Sequence, residues 1–185
     1  AAALARCGIT DANAKEVAEK ISRAKDRVWI PEAEPGEGDG LAPEIFVAYQ
    51  NILDLNRALD TDALLYRTVR MLESEPDFRE KCQRRFLHVL VDEYQDVSAS
   101  QYRLVRALCP KGASLAVIGD PDQAIYGFRG ADVGYFTRFV HDYPEARVVE
   151  LSRNYRSSDN ILQAAAKIVE KGRLWSPQKP LESGI

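Results

Sequence analysis

Three apolar runs constrain this chain more than any other feature. Phe86-Leu87-His88-Val89-Leu90-Val91 has strand length and stops abruptly at Asp92-Glu93. Residues 113–118 repeat the design and stop at Gly119-Asp120, and residues 146–151 do so a third time, stopping at Ser152-Arg153. Helical patterns lie between them, over about 99–108 and 132–143, and another follows over about 158–171. Runs that are apolar throughout predict strands buried on both faces. Their alternation with helices predicts a parallel sheet in an α/β fold. Such sheets bind ligands at the carboxyl ends of their strands, and all three runs deliver polar residues there.

The first half has a different texture. Thr10-Asp11 is placed to cap a helix carrying Val17, Ala18, Ile21 and Ala24 at helical spacing. Residues 31–43, rich in Pro, Gly, Glu and Asp, read as a loop or linker. A second helix over about 43–58 puts Ile45, Phe46, Tyr49, Ile52 and Leu53 on one broad face. Asp60 or Thr61 caps a third, carrying Leu64, Leu65, Val69 and Leu72, and Glu75-Pro76-Asp77 ends it and opens a fourth. Residues 1–83 are therefore expected to be helical, beside the α/β portion.

Composition excludes several classes. With 45% hydrophobic and 29% charged residues among 185, the chain is neither a disordered tail nor a collagen-like fibre nor a disulfide-built miniprotein. No apolar run approaches the ~18–20 residues of a membrane span. The alanine-rich start lacks the basic region of a signal peptide. Cys7, Cys82 and Cys109 are far apart with no CxxC pair, which fits free thiols and a cytoplasmic location. The only Met is Met71 and the chain starts at Ala1, so a fragment is expected. The net charge of −3 is uneven: residues 1–83 carry 11 Lys and Arg against 16 Asp and Glu, whereas residues 84–156 carry 10 against 9. A bulk negative charge therefore hides a near-neutral half in which a local cationic surface for nucleic acid fits.

Each strand end has a chemical reading. Asp92 is placed to hold Mg²⁺, and Glu93 beside it to orient a water for attack on a phosphate. Gln123 offers both a donor and an acceptor to a phosphoryl oxygen or a water. Tyr126 and Phe128 interleave with Arg129 between glycines, a pattern suited to stacking on unpaired bases. Arg153 and Arg156 suit a phosphate clamp. Each also has a plainer reading: solvated carboxylates, a local aromatic core, and surface ion pairs. Their order along one sheet is the layout of a nucleotide-driven enzyme acting on single strands.

The order also carries a resemblance. Asp92-Glu93-Tyr94-Gln95-Asp96 resembles motif II (Walker B) of superfamily 1 DNA helicases of the UvrD/Rep/PcrA type. Gly119-Asp120-Pro121-Asp122-Gln123 through Arg129-Gly130-Ala131-Asp132 resembles motif III, and residues 151–157 resemble motif IV. The resemblance implies a partial RecA-like parallel sheet of the P-loop NTPase type over 84–157, a helical 1B-like region over 1–83, and the start of a second, 2A-like motor domain over 158–185. It implies ATP and Mg²⁺ as cofactors, with Asp92 on the metal and Glu93 as general base. Gln123 and Arg156 would meet the γ-phosphate; Tyr126, Phe128 and Arg129 would touch single-stranded DNA. The implied activity is ATP-driven 3′→5′ translocation and unwinding at duplex junctions, in DNA repair or recombination, in the cytoplasm at the nucleoid and away from any membrane. The remaining helicase domains are the implied partners.

One departure stands out. No GxxxxGK[ST] loop occurs in the 185 residues, and motifs V and VI are also missing. The chain is therefore expected to be a middle slice of a helicase, inactive alone. Two alternatives remain at this point: a non-catalytic module that binds single-stranded DNA, and a metal-dependent nuclease using Asp92, Glu93, Asp120 and Asp122.

Overall fold

A computed structural model of the chain describes residues 2–7, 13–31, 40–110, 112–170 and 181–184. Five helices fill the first half: α1 (Ala2–Arg6), α2 (Ala14–Asp26), α3 (Pro43–Leu55), α4 (Thr61–Ser74) and α5 (Pro76–Arg85). Their ends follow local chemistry. The cap of α2 is Asn13, whose side chain accepts from the Lys15 N–H; the expected Thr10-Asp11 cap lies outside the described residues, as does most of the 31–43 loop. Asp60 caps α4 by accepting from the Ala63 N–H at 2.6 Å, and Pro76 opens α5 at a position where its missing N–H costs nothing. Among the described residues α3 ends at Leu55, three residues before the expected end.

The helices enclose an apolar core. Trp29, Phe46 and Tyr66 meet edge to face, with ring centroids 5.4 and 5.8 Å apart, and Ile21, Ala24, Ile45 and Val69 close around them. Val28, buried beside Trp29, sits at φ 54°, a left-handed conformation costly for a β-branched residue. The chain tolerates it because it swings Trp29 inward while the Val28 and Trp29 N–H groups still bond back to α2.

Beyond residue 85 come β1 (His88–Val91), α6 (Ala99–Leu108) and β2 (Ser114–Val117), which form a β-α-β unit. The two strands pair in parallel, with Val91 opposite Val117. The core is not confined to one half: α4 and α2 pack on α6, and Arg103 of α6 grips Glu73 with two nitrogens and the carbonyls of Arg27 and Val28 with a third.

Three expectations need correction. The strands are not buried on both faces: Leu90 is 73% exposed, and only Val89, Val91, Leu115 and Val117 are half-covered. The reason is sheet width, since β1 and β2 form a two-stranded sheet among the described residues and one pleat face has no covering layer. Residues 146–151 form no strand; Val148, Val149 and Leu151 are more than half exposed and have no ladder partner among the described residues. Pairing starts only at β3 (Arg153–Asn154), which lies parallel to β4 (Glu182–Ser183). The helix expected over 132–143 is instead two single turns, α7 (Gly134–Thr137) and α8 (Phe139–Asp142), followed by α9 (Asp159–Val169) with Ser158 at its cap position. The observed architecture is thus helix-rich α/β with small parallel sheets. No described helix is long and apolar enough to cross a membrane.

Candidate active site

The register of β1 against β2 decides what meets at their carboxyl ends. The ladder runs one step past the strands: the Ile118 N–H donates to the Val91 carbonyl at 2.8 Å, and the Tyr94 N–H donates to the Ile118 carbonyl at 2.9 Å. Asp92-Glu93 therefore lies beside Gly119-Asp120. The chain turns sharply there, because Glu93 adopts φ 51° and ψ 43° before a 3-10 turn over Tyr94–Asp96. A non-glycine residue in the left-handed region costs roughly 1–2 kcal/mol, so this turn is held by its surroundings.

Those surroundings centre on Gln95. It is 2% exposed and spends both ends of its amide on the site. Its Nε2 donates to Glu93 Oε2 at 2.7 Å and, more weakly, to Asp96 Oδ2 at 3.3 Å. Its Oε1 accepts from the Asp120 N–H at 3.0 Å. Gly119 is required by this packing, since a Cβ there would lie 2.5 Å from Gln95 Oε1 and 3.0 Å from the Phe136 ring. Behind it, Tyr94 is fully buried against Phe139 and Phe136, and burial pushes its hydroxyl pKa up.

Asp120 passes the organisation to Gln123. Its Oδ1 accepts from the Asp122 N–H at 3.0 Å, and its Oδ2 accepts from Gln123 Nε2 at 2.7 Å. The amide of Gln123 is thereby aimed while its carbonyl oxygen has no hydrogen bond to the described residues. Glu93 is similar: Oε2 is held by Gln95, and Oε1 makes no hydrogen bond to the described residues. Asp92 is exposed, with Oδ1 accepting from the Glu93 N–H at 2.9 Å.

The aromatic loop follows. Tyr126 and Phe128 rings lie 6.1 Å apart, with the Arg129 guanidinium 5.1 Å from one centroid and 5.4 Å from the other. Phe128 is 78% exposed, so these rings do not fill a core. Gly130 ends the loop at φ 89°, where a Cβ would meet Asp26 Oδ2 at 2.9 Å. Asp26, the last residue of α2, also takes hydrogen bonds from Ser98 Oγ at 2.5 Å and Ser100 Oγ at 2.7 Å.

Arg156 stands apart. Asn154 Oδ1 accepts from the N–H groups of Arg156 and Ser157 at 2.9 and 2.8 Å, an Asx turn that leaves the guanidinium exposed. No hydrogen bond or ion pair joins it to Glu93 or Gln123 among the described residues. Arg153 lies over the Tyr155 ring instead, at 5.3 Å. Asp92, Glu93 and Gln123 thus come together, Tyr126, Phe128 and Arg129 form a second group, and Arg156 belongs to neither. The sequence reading gave no role to Gln95 or Asp26. The one available signal for Gln95 was an uncharged amide two residues after the acid pair.

Comparison with known proteins gives a consistent result. The family profile described as the UvrD/REP helicase N-terminal domain matches residues 5–144. The ATP-dependent DNA helicase PcrA of Staphylococcus epidermidis is 40% identical over 164 residues, covering 86% of this chain and 22% of the relative. The PcrA protein of Staphylococcus aureus is 43% identical over 136 residues, covering 74% of this chain and 18% of the relative. The chain spans about a fifth of the length of these relatives.

Proposed function

Since this chain belongs to the UvrD/REP helicase family, we propose that it is a motor segment of an ATP-dependent DNA helicase. Residues 84–157 belong to a RecA-like domain carrying motifs II, III and IV, residues 1–83 are its helical accessory region, and residues 158–185 open the second motor domain. In this reading Glu93 Oε1 accepts the proton of the attacking water as its oxygen bonds the γ-phosphorus and ADP leaves. Gln123 meets the γ-phosphate, and Arg156 reaches it only once the motor domains close together. Tyr126, Phe128 and Arg129 hold single-stranded DNA, which the parent protein follows 3′→5′ into duplex junctions during repair or recombination, in the cytoplasm at the nucleoid.

The observation that carries the reading is the parallel register of β1 and β2, which sets the acid pair beside Asp120 and Gln123. The donor set also fits Mg²⁺. That ion is commonly held by one or two carboxylates together with phosphate oxygens and waters, and Asp92 keeps Oδ2 without a hydrogen bond to the described residues. When bound, the ion would neutralise charge developing on the phosphates. The nuclease alternative needs Asp92, Glu93, Asp120 and Asp122 gathered around a metal, and no three such side chains gather that way among the described residues.

The 185 residues hold no GxxxxGK[ST] loop, so hydrolysis in this reading needs a phosphate cradle that these residues do not supply. The test measures Mg-dependent ATP turnover and strand separation by the protein that carries this segment, and by the isolated chain. DNA-stimulated turnover and unwinding by the former, with none by the latter, are expected. Turnover by the isolated chain, or ATP-independent DNA cleavage, would overturn the proposal.

A further inference from the structure

We infer that Gln95 is a positioning residue that couples the general base to the γ-phosphate contact, so that the two strand ends act as one unit. The inference rests on the proposed hydrolytic role of Glu93 and deepens it. The relay is continuous: Glu93 Oε2 accepts from Gln95 Nε2, Gln95 Oε1 accepts from the Asp120 N–H, and Asp120 Oδ2 accepts from Gln123 Nε2. Every member lies within a hydrogen bond of the next, and the side chain that joins the two loops in this relay is the buried Gln95 amide.

Three observations separate this from a merely satisfied buried polar group. A buried amide needs partners, but they need not be the reacting residues; here one partner is the carboxylate of Glu93 itself. Among the described residues, this amide is the one side chain that both donates to that carboxylate and accepts from the neighbouring loop. The chain also gives up a side chain at position 119 to admit it, since a Cβ there would come within 2.5 Å of Gln95 Oε1. The relay fixes one Glu93 oxygen and leaves the other for water. A displacement of Gln123 by phosphate is transmitted to Glu93 through three hydrogen bonds, one of them from the Asp120 backbone N–H.

Two variants test it in the complete helicase. Gln95→Met keeps about the same length and volume but removes the amide's three hydrogen bonds, to Glu93, Asp96 and Asp120. Gln95→Glu keeps the acceptor for the Asp120 N–H, and so the loop junction, but places a second carboxylate at the 2.7 Å contact with Glu93. The introduced carboxylate has no N–H to offer Glu93 Oε2, so the hydrogen bond that orients the base is lost while the loop junction stays. Both variants are expected to lower kcat for DNA-stimulated ATP hydrolysis by about tenfold or more, with KM for ATP and affinity for a single-stranded oligonucleotide within twofold of the native protein. Gln95→Glu buries a charge and is expected to lower the melting temperature as well, so the inference is read from the split between kcat and KM. Native kcat in either variant, or parallel changes in kcat and KM in both, would overturn the inference. Glu93→Gln in an otherwise native helicase separates this from the underlying reading: if that change leaves hydrolysis intact, the role of Glu93 fails, whatever Gln95 does.

Discussion

Lys25 is completely buried and points its ammonium at Asp60, 2.5 Å from Oδ2, where the Tyr49 hydroxyl also donates at 2.7 Å. The other Asp60 oxygen caps α4, so one carboxylate ties together α2, α3 and the start of α4. Removing one partner of a buried pair strands the other charge, which costs about 3–5 kcal/mol. Asp60 is still partly exposed and keeps two donors without Lys25. Asp60→Ala is therefore expected to cost about 3–5 kcal/mol, and Lys25→Met about 1–2 kcal/mol. Chemical denaturation of both variants checks this asymmetry; equal costs would contradict it.

The same cluster sets a pH window. Burial works to raise the Asp60 carboxyl, but the Lys25, Tyr49 and Ala63 donors outweigh it and hold it below its ordinary value near 4. Its contribution is full above the unfolded value and is lost as pH falls through the folded one. For Tyr49, burial first and then the Asp60 acceptor push the hydroxyl up to about 12 from about 10. That contribution is full below pH 10 and is lost as pH rises towards 12. Denaturation profiles of Asp60→Asn and Tyr49→Phe should lose the acid and the alkaline limb respectively. Unchanged limbs would count against the cluster.

Asp26 and Gly130 offer a separate test. Gly130→Ala carries the cost of a side chain at φ 89° together with a contact at 2.9 Å to Asp26 Oδ2. The backbone part, roughly 1–2 kcal/mol, stays in an Asp26→Ala background, whereas the contact goes. A double-mutant cycle is expected to give a coupling of about 0.5 kcal/mol or more. Additive costs would mean that α2 does not buttress the end of the aromatic loop.

Phe128 should dominate affinity for single strands. Phe128→Ala is expected to weaken oligonucleotide binding by the helicase by about 1–3 kcal/mol, and Phe128→Trp to strengthen it through its larger ring. Arg129→Ala should weaken binding most at low salt and flatten the salt dependence by about one phosphate contact. Fluorescence anisotropy across a salt series measures both. Native affinity in Phe128→Ala would remove this loop from the DNA path.

Much of this architecture was legible in the sequence, and the exceptions have physical causes. The helices α4, α5 and α6 follow from Asp60, Pro76 and the 99–108 pattern, because caps and periodicity are local. The strand ends at Asp92 and Gly119 were legible for the same reason. Residues 146–151 have strand composition but no strand, because a strand also needs a hydrogen-bonding neighbour. Asp26 was illegible because its partners, Ser98 and Ser100, lie more than seventy residues away. The role of Gln95 became visible only through parallel pairing, which is what brings Asp120 beside it.

The assignment of Glu93 is tested most directly by single-turnover hydrolysis of Mg-ATP in the complete helicase bearing Glu93→Gln. The expected result is native nucleotide binding with hydrolysis slowed by at least about a hundredfold. Hydrolysis at the native rate would contradict the assignment.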